Sequence, residues 1–470
     1  MDGGTTPCRR DFIKGVGIIM GAVGLVGAAA NANPIAQSAG PGKSGRATRK
    51  GRKNFYPWWV REVDEITTEL DPAIHQRPPR FHYIAHMLTQ WSKEKRNSGH
   101  ARAKEYVKEG IVNNIPGRSL PDFALSYAQT AYFGGLGSFD APKVIPVPGS
   151  DEMTTYNMHP PQDFGLEPWQ ATPDEASKVV QQAGIQLGAA LVRFTELKPQ
   201  FLYGNVKIDA SAENIKRVKR VTVIPERFKY VAVVAVQAPR DLTVRAQSML
   251  GSAGDRAGWA RLSVVETRIH RFLAGLGYGV IPMQKISPVI AHAVYAGMGE
   301  LGRMNRMINP LFGGNVRLEG FLTDLPLAAD QPIDFGLQEF CKKCKICAEA
   351  CPSGALSFAD EPTWKPFNQF QSPGKKTYFE NNERCATYMH GKGHYCGSCL
   401  AVCPWSKQDK TALHDIAKIL ASKTPQTGNL LTKLDKAFGY GLVELDSEEM
   451  GDWWDWDIPE LGIDTYQGKG

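Results

Sequence analysis

Two stretches in the middle of the chain carry apolar residues at helical spacing. The first follows Thr172-Pro173-Asp174-Glu175, whose threonine cap, first-turn proline and capping-box glutamate are typical of a helix start. Its apolar positions are Ala176, Val180, Ala183, Leu187, Leu191 and Phe194. Those of the second stretch, which Gly277 can close, are Leu262, Val265, Ile269, Phe272 and Leu276. The spacing predicts two amphipathic helices.

Buried strands are predicted where apolar residues run without interruption. Tyr230–Gln237 is rich in valine and continuously apolar, which is typical of a strand covered on both faces. Residues 201–208 and 280–281 are further strand candidates. Helices and strands mix without strict alternation, which favours an α+β fold over a doubly wound sheet. Residues 54–165 are rich in proline, glycine and aromatic residues, and we expect them to form a loop-rich N-terminal unit.

The N-terminus has the parts of an export signal. The segment Arg9-Arg10-Asp11-Phe12-Ile13-Lys14 is followed by apolar residues 15–30 and by Ala30-Asn31-Ala32, a small-residue cleavage site. Paired arginines in this position are typical of a twin-arginine signal. A membrane anchor is the alternative, but the apolar stretch is shorter than the about 20 residues that span a bilayer. We predict a signal peptide over residues 1–32 and a flexible, basic lead-in over residues 33–53.

The positive charge of the protein is concentrated at this end. The chain has 55 Lys and Arg against 48 Asp and Glu, a formal charge of +7. Residues 1–53 hold nine of the basic residues and two of the acidic ones, so the remainder balances at 46 against 46. A nucleic-acid-binding protein should carry its basic excess on the folded domain. The distribution therefore argues against a nucleic-acid partner.

Eight of the nine cysteines lie between residues 341 and 403. The first run is Cys341-x2-Cys344-x2-Cys347-x3-Cys351-Pro352, the spacing of bacterial ferredoxins, in which the fourth cysteine binds the other cluster. The second is Cys385 followed, after a ten-residue gap, by Cys396-x2-Cys399-x3-Cys403-Pro404. Disulfides and zinc are the alternatives, and neither explains two such runs. The spacing predicts two [4Fe-4S] clusters.

The crossed ferredoxin pattern divides the eight cysteines into two ligand sets. The first set is Cys341, Cys344, Cys347 and Cys403. The second set is Cys351, Cys385, Cys396 and Cys399. Cys385 is the one ligand outside a tight run. We expect a bacterial-ferredoxin-like module over residues 336–410.

Gly297, Gly299 and Gly302 match the G-x-G-x-x-G pattern of dinucleotide-binding loops. No clear strand precedes them, and no suitably placed acidic residue follows a second strand, so nicotinamide binding is disfavoured. We expect tight backbone packing at these glycines instead, against a bulky planar cofactor.

Near the C-terminus, residues 452–457 read Asp-Trp-Trp-Asp-Trp-Asp. Tryptophan combines a large apolar surface with one hydrogen-bond donor, so it often anchors a segment on a folded core. We expect residues 411–470 to form a tail that packs on the core through these indoles.

Several motifs, in their order and spacing, resemble those of the respiratory reductive dehalogenases. They are the twin-arginine segment, Pro57-Trp58-Trp59, Leu276-Gly277-Tyr278, residues 297–303, Val316-Arg317-Leu318, residues 323–327 and residues 332–336 ahead of Cys341. The likeness covers most of residues 170–445, including the gap after Cys385. It implies a nitroreductase-like core over residues 166–335 that binds a corrinoid of the cobalamin type.

The resemblance also implies an activity, partners and a location. Members of the family cleave carbon–halogen bonds of small organohalides with two electrons. Pro57-Trp58-Trp59 resembles the start of some members from organisms that respire chlorinated aliphatic compounds. An upstream respiratory electron donor and a small hydrophobic membrane-anchor protein are the implied partners. The implied location is the outer face of the cytoplasmic membrane, where the protein is peripheral.

By motif position, Arg317 corresponds to the active-site arginine of the family and can stabilise an anion, with a structural salt bridge as the alternative. Trp259 stands where the family has its proton-donating tyrosine. An indole does not replace a phenol as an acid, so we predict a preference for vicinal dihaloelimination, which needs no proton. The sequence has no D-x-H-x-x-G corrinoid-ligating motif.

Two other classes of protein share some of these features. An epoxyqueuosine-reductase-like corrinoid enzyme would have the fold and the clusters, but the export signal and the neutral folded part argue against it. An iron–sulfur electron-transfer subunit of an exported oxidoreductase would have the clusters, but not the long cysteine-free region before residue 341.

Overall fold

The computed structural model describes residues 56–79, 90–119, 122, 161–164, 167–218, 221–407, 412–424, 428–437 and 441–456. The predicted signal peptide (1–32) and lead-in (33–53) lie outside these residues. Among the described helices, none combines the length and the apolar character needed to cross a bilayer.

The strands are β1 (Arg61–Glu62), β2 (Leu191–Glu196), β3 (Val206–Asp209), β4 (Lys216–Val218), β5 (Val221–Pro225), β6 (Tyr230–Gln237), β7 (Val280–Pro282), β8 (Glu300–Leu301), β9 (Met307–Ile308), β10 (Val316–Thr323) and β11 (Ile333–Asp334). The helices are α1 (Lys93–Val112), α2 (Pro173–Gln186), α3 (Arg240–Thr243), α4 (Met249–Gly275), α5 (Val289–Tyr295), α6 (Leu337–Lys343), α7 (Ile346–Glu349), α8 (Asn382–Lys392), α9 (Ser398–Ala401), α10 (Ala412–Lys423), α11 (Gly428–Ala437) and α12 (Glu448–Gly451).

An antiparallel sheet of four strands, in the order β2-β6-β10-β7, organises the middle of the chain. Strand β6 has the predicted bounds and pairs with β10 along its whole length, with Arg317 opposite Val236. The six residues from Val231 to Val236 are all buried because both faces of the sheet are covered. Helices α2 and α4 cover one face, and α5 packs against the other. The predicted α+β class is confirmed.

The two predicted helices are present, with changed bounds. Thr172 and Glu175 form the expected capping box at the start of α2. Leu191 and Phe194, assigned to this helix by their spacing, belong instead to β2. Helix α2 ends at Gln186, and Gly188 follows in the left-handed conformation at φ +109°, which frees the next residues to pair with β6.

Helix α4 begins thirteen residues before Leu262, at Met249, and Gly277 closes it at φ +91°, as predicted. The strand expected over residues 201–208 begins only at Val206, because Pro199 starts a 3-10 turn that ends at Phe201. The short strand at residues 280–281 is present as β7.

Helix α1 was not expected in the predicted loop-rich unit. Its first half is almost entirely polar, and apolar residues at helical spacing are confined to its second half, at Ala103, Tyr106, Val107 and Ile111. Ser92 caps its first turn through a 3.2 Å hydrogen bond from the Lys95 amide. Its glycine at position 99 lets the His390 ring of α8 approach closely, since a Cβ there would lie 1.8 Å from the imidazole. Tertiary packing therefore supports this helix.

Candidate iron–sulfur centres and active site

The first predicted ligand set lines one enclosed cavity. Cys341, Cys344, Cys347 and Cys403 share it with Gly302, Arg303, Met304, Ile308, Phe340, Pro404 and Trp405. Helices α6 and α7 carry the first three cysteines, and Cys403 arrives from the second run, just after α9. The chain therefore brings together the four thiols that the crossed pattern assigns to one cluster.

The second predicted set is also gathered in one place. Burial raises the pKa of the Cys399 thiol, and its neighbours Cys396, Cys385 and Cys351 raise it further. Two hydroxyl groups lie beside them: Ser353 Oγ is 3.4 Å from Cys351 Sγ, and Ser398 Oγ is 3.2 Å from Cys396 Sγ. Most of the gap between Cys385 and Cys396 is helix α8, which packs on α1.

The cysteine geometry disfavours the two alternative uses of these residues. The eight cysteines of the module are free thiols, so none is in a disulfide. Within the described ranges, no three His, Cys, Asp or Glu side chains converge closely enough to bind a single metal ion. Cubane ligands bind four different irons and are spread more widely. Burial raises the pKa of the Cys347 and Cys403 thiols, so thiolates here require the compensating charge of iron.

Arg303 binds the backbone of the first cysteine loop and is only 1% exposed. Its guanidinium donates hydrogen bonds to the carbonyl oxygens of Cys341 (2.6 Å), Cys344 (2.9 Å), Ser357 (2.8 Å) and Ala359 (2.7 Å). Its own backbone N–H points at Cys341 Sγ, 3.5 Å away. This arginine fixes the shape of the loop and places a buried positive charge beside the cavity.

Glu300, three residues earlier, supports the same loop. Its carboxylate accepts hydrogen bonds from Thr67 Oγ1 (2.6 Å) and from the Phe335 amide (2.7 Å), just before α6 begins. Burial raises the pKa of Glu300 to about 7. The carboxylate thus ties the start of α6 to the hairpin of β8 and β9.

The three glycines of the G-x-G-x-x-G pattern pack against protein. A Cβ at Gly297 would lie 2.0 Å from the Gln331 carbonyl oxygen, and one at Gly299 would lie 2.2 Å from that of Ile308. A Cβ at Gly302 would lie 2.9 Å from the Ile308 side chain. The expected tight backbone packing is present, and its partner is the chain itself. A cofactor contact at these glycines stays a prediction.

Arg306 lies in the hairpin loop between β8 and β9 and acts on the second set of cysteines. It forms an ion pair of 3.1 Å with Glu380, and its positive charge acts on the Cys385 and Cys399 thiols. The loop between β8 and β9 therefore supplies one arginine to each group of cysteines.

The two predicted catalytic residues lie close to one another, between β10 and α4. Arg317 leaves β10 toward α4, where its guanidinium pairs with Asp255 and lies 5.9 Å from the centroid of the Trp259 ring. Gly258 makes this approach possible, because a Cβ there would lie 3.0 Å from Arg317 Cγ. Arg317 is 5% exposed. The ion pair with Asp255 gives the guanidinium a fixed orientation.

The second cysteine run is attached to the start of α4, close to this arginine. The Tyr395 amide donates a 3.1 Å hydrogen bond to Ser252 Oγ, and the Arg256 guanidinium lies 5.3 Å from the Tyr395 ring centroid. The charge of Asp255 reaches both Tyr395 and Cys396. The Arg317–Asp255 pair and the second cysteine set are thus neighbours across one helical turn.

The tryptophans near the C-terminus dock on the core as expected. The indole N–H of Trp453 donates to Asp241 (2.9 Å), and that of Trp454 donates to Asp122 (2.7 Å). Trp456 lies 5.0 Å from the guanidinium of Arg245. Asp457 lies outside the described residues.

Sequence reasoning missed Arg303, Glu300, Asp255 and Trp405 as parts of the site. Glu300 lies within the G-x-G-x-x-G pattern and Arg303 directly follows it, but that pattern is defined by its glycines. Trp405 directly follows the Cys403-Pro404 pair. Only the fold shows that these side chains meet the cysteine loops, since more than thirty positions separate Arg303 from the first cysteine.

Comparison with protein families defines the class first. A family model described as "4Fe-4S double cluster binding domain" matches residues 340–406, which confirms the predicted pair of clusters. Another, described as "Reductive dehalogenase subunit", matches residues 55–215. Together they describe a two-cluster iron–sulfur protein joined to a dehalogenase-type domain.

Individual relatives identify the protein family more narrowly. A tetrachloroethene reductive dehalogenase of Desulfitobacterium hafniense is 33% identical over 415 residues, covering 78% of this chain and 73% of the relative. One from Sulfurospirillum multivorans is 29% identical, and the match covers 67% of this chain and 66% of the relative. This chain belongs to the reductive dehalogenase family, a class of oxidoreductases that act on carbon–halogen bonds.

The fold agrees with that of a solved member. The structure of the catabolic reductive dehalogenase NpRdhA in complex with 3-bromo-4-hydroxybenzoic acid aligns with a TM-score of 0.58 at 20% identity. The match covers 81% of this chain and 49% of the solved one, so this chain spans about half of that protein's length.

Proposed function

We propose that this protein reductively cleaves the carbon–halogen bond of a small chlorinated aliphatic compound, using two electrons delivered through its two [4Fe-4S] clusters in anaerobic organohalide respiration. The observation that carries the proposal is the buried Arg317–Asp255 pair beside Trp259, attached through Tyr395 and Ser252 to the second cysteine set. A cationic group next to an electron source is what the expulsion of a halide requires.

A corrinoid is the cofactor that the family implies, and the residues around Arg317 fit one. Two buried polar atoms lack a hydrogen-bond partner among the described residues: Asn315 Oδ1, beside the start of β10, and His394 Nε2, next to Tyr395. Buried polar atoms in native proteins are normally paired. The amide groups at the rim of a corrinoid can provide partners for both. When bound, the cobalt of the corrinoid supplies the nucleophilic, two-electron chemistry.

The residues of the chain have defined tasks in this reaction. Asp255 orients the Arg317 guanidinium, which then binds the departing halide or the negative end of the carbon–halogen bond. Trp259 packs with the apolar residues of α4 and closes the site beside the arginine. The second cysteine set is linked to the helix that carries Asp255, so the cluster that it would hold would supply electrons to the site directly. The first set lies farther along the relay.

The tryptophan at position 259 suggests a preference between two reactions. Replacing one halogen by hydrogen takes two electrons and one proton, and releases one halide. Removing two halogens from adjacent carbons takes two electrons and no proton, releases two halides and leaves an alkene. An indole N–H donates hydrogen bonds but does not release its proton near neutral pH. We therefore propose vicinal dihaloelimination as the favoured reaction.

Product analysis on the purified holoenzyme tests both the proposed dehalogenation and the proposed preference for vicinal dihaloelimination. With a low-potential electron donor, we expect faster halide release and alkene formation from a vicinal dichloroalkane than hydrogenolysis of a chloroethene. Trp259→Tyr should increase the hydrogenolysis rate relative to elimination. Hydrogenolysis that is already as fast as elimination in the wild type would contradict the preference. Absence of halide release from both substrates would contradict the activity.

Location and partners form a separate part of the proposal. The N-terminal segment predicts export by the twin-arginine route, and the family implies a small hydrophobic membrane-anchor protein and an upstream respiratory electron donor. We propose that the mature protein is peripheral on the outer face of the cytoplasmic membrane. Fractionation of cells, with N-terminal sequencing of the recovered protein, tests this. Recovery only from the cytosol, with residues 1–32 intact, would contradict it.

A further inference from the structure

Trp405 lines the first cysteine cavity, and its indole carries one hydrogen-bond donor. The side chain is 1% exposed and lines the same cavity as Cys341, Cys344, Cys347 and Cys403. Its Nε1 atom is buried and has no hydrogen-bond partner among the described residues. The sequence places it two positions after Cys403.

The other neighbours of this indole are aromatic. Phe335, Phe340 and Trp59 surround it, with ring centroids 4.8, 5.9 and 5.8 Å from that of Trp405. Leaving a buried donor unpaired is unfavourable, and these rings do not supply a strong acceptor. Phenylalanine could provide most of the same packing without that cost. The unpaired N–H group therefore indicates that the cavity holds a hydrogen-bond acceptor when its cofactor is bound.

We propose that the indole N–H of Trp405 donates a hydrogen bond to a sulfur atom of the first [4Fe-4S] cluster and thereby raises the reduction potential of that cluster. The acceptor is either an inorganic sulfide or a cysteine thiolate. This inference rests on the two-cluster domain alone and is independent of the reaction catalysed at Arg317.

The physical reason is electrostatic. The cluster accepts one electron from the upstream donor and later passes it on, with no bond broken and no proton transferred in either step. The reduced cluster carries one more negative charge, so an N–H donor stabilises it more than the oxidised form, and hydrogen bonds to sulfur are among the factors that set these potentials. The Arg303 amide, 3.5 Å from Cys341 Sγ, acts in the same direction.

Trp405→Phe tests the proposal because it keeps an aromatic ring and removes the donor. Trp59→Phe is the matched control, since Trp59 packs on the same indole but is not among the residues that line the cavity. The reduction potentials of both clusters are measured in redox titrations of the holoenzyme followed by electron paramagnetic resonance. We expect the potential of one cluster to be about 59 mV lower in Trp405→Phe, which is a tenfold change in the equilibrium for a one-electron reduction. The other cluster, and both clusters of Trp59→Phe, should keep their potentials. Two unchanged potentials in Trp405→Phe would overturn the proposal.

A second measurement tests the proposed hydrogen bond even if Trp405→Phe loses its first cluster. Wild-type holoenzyme labelled with 15N in the indole nitrogen of tryptophan should show a 15N coupling to the reduced first cluster in pulsed electron paramagnetic resonance. Trp59→Phe, labelled in the same way, should keep this coupling. A labelled wild-type protein without any 15N coupling to that cluster would overturn the proposal. Neither measurement needs an organohalide, so failure here is distinct from failure of the proposed dehalogenation.

Discussion

Arg303 offers the sharpest prediction about how the fold holds the first cluster. Arg303→Met keeps much of the volume of the buried side chain and removes the guanidinium. Four backbone carbonyls of the cysteine loop, those of Cys341, Cys344, Ser357 and Ala359, then lose their donor. Hydrogen bonds to charged groups contribute about 1.5–3 kcal/mol each, so the loop should be weakened by about 5 kcal/mol or more. That is more than a thousandfold in the equilibrium for opening the loop, at about 1.4 kcal/mol per tenfold.

The assay is the release of iron to a chelator from purified holoenzyme, followed together with the spectra of the reduced clusters. We expect Arg303→Met to lose half of its iron at least a hundredfold faster than the wild type. Arg306→Met is the matched comparison, because this arginine lies in the same hairpin loop but pairs with Glu380 near the second set, so any iron that it releases faster should come with loss of the second cluster spectrum and not of the first. Release of iron from Arg303→Met at the wild-type rate would refute the assigned role of the arginine.

Two further predictions concern the cysteines and a buried carboxyl group. Cys347→Ser should remove the spectrum of one cluster, and Cys399→Ser should remove that of the other, because the two residues belong to different sets. Loss of the same signal in both variants would contradict the assignment. Burial raises the pKa of Glu266 to about 7, above its ordinary value of 4.5, so the folded state binds this proton more tightly than the unfolded chain does. Stability should therefore fall as the pH rises from about 4.5 to about 7, by at most about 3 kcal/mol, and level off at higher pH. Glu266→Gln should raise the thermal midpoint relative to wild type at pH 8 and leave it nearly unchanged at pH 5; equal effects at both pH values would contradict this reasoning.

Much of the cluster module follows from the sequence, because cluster ligands must recur at short, fixed spacings in one loop. The cysteine runs predicted both clusters. The four cysteines of the first set line one cavity, and the crossed division of the eight ligands stays a prediction. Arg303 and Trp405 could not be predicted in the same way. Their roles depend on which carbonyl groups and which cavity the tertiary structure brings to them.

Secondary structure shows the same limit. Apolar spacing carried the first helix through Leu191 and Phe194, because a strand that is buried on both faces can have apolar residues at any position and so also fits a period of three to four residues. Gly188, which ends that helix, is recognisable only as one glycine among many. Helix α1 has apolar residues at helical spacing only in its second half, and it is held by contact with α8. For Arg317, the motif predicted a buried cation, and the fold added Asp255 as its partner.

Elemental analysis of the purified holoprotein tests the central claim most directly. A corrinoid enzyme fed by two [4Fe-4S] clusters should contain about eight iron atoms and about one cobalt atom per chain. The same preparation should contain about as much acid-labile sulfide as iron. Eight iron atoms without cobalt would identify a mere electron carrier, and about four iron atoms would contradict the division of the cysteines into two clusters.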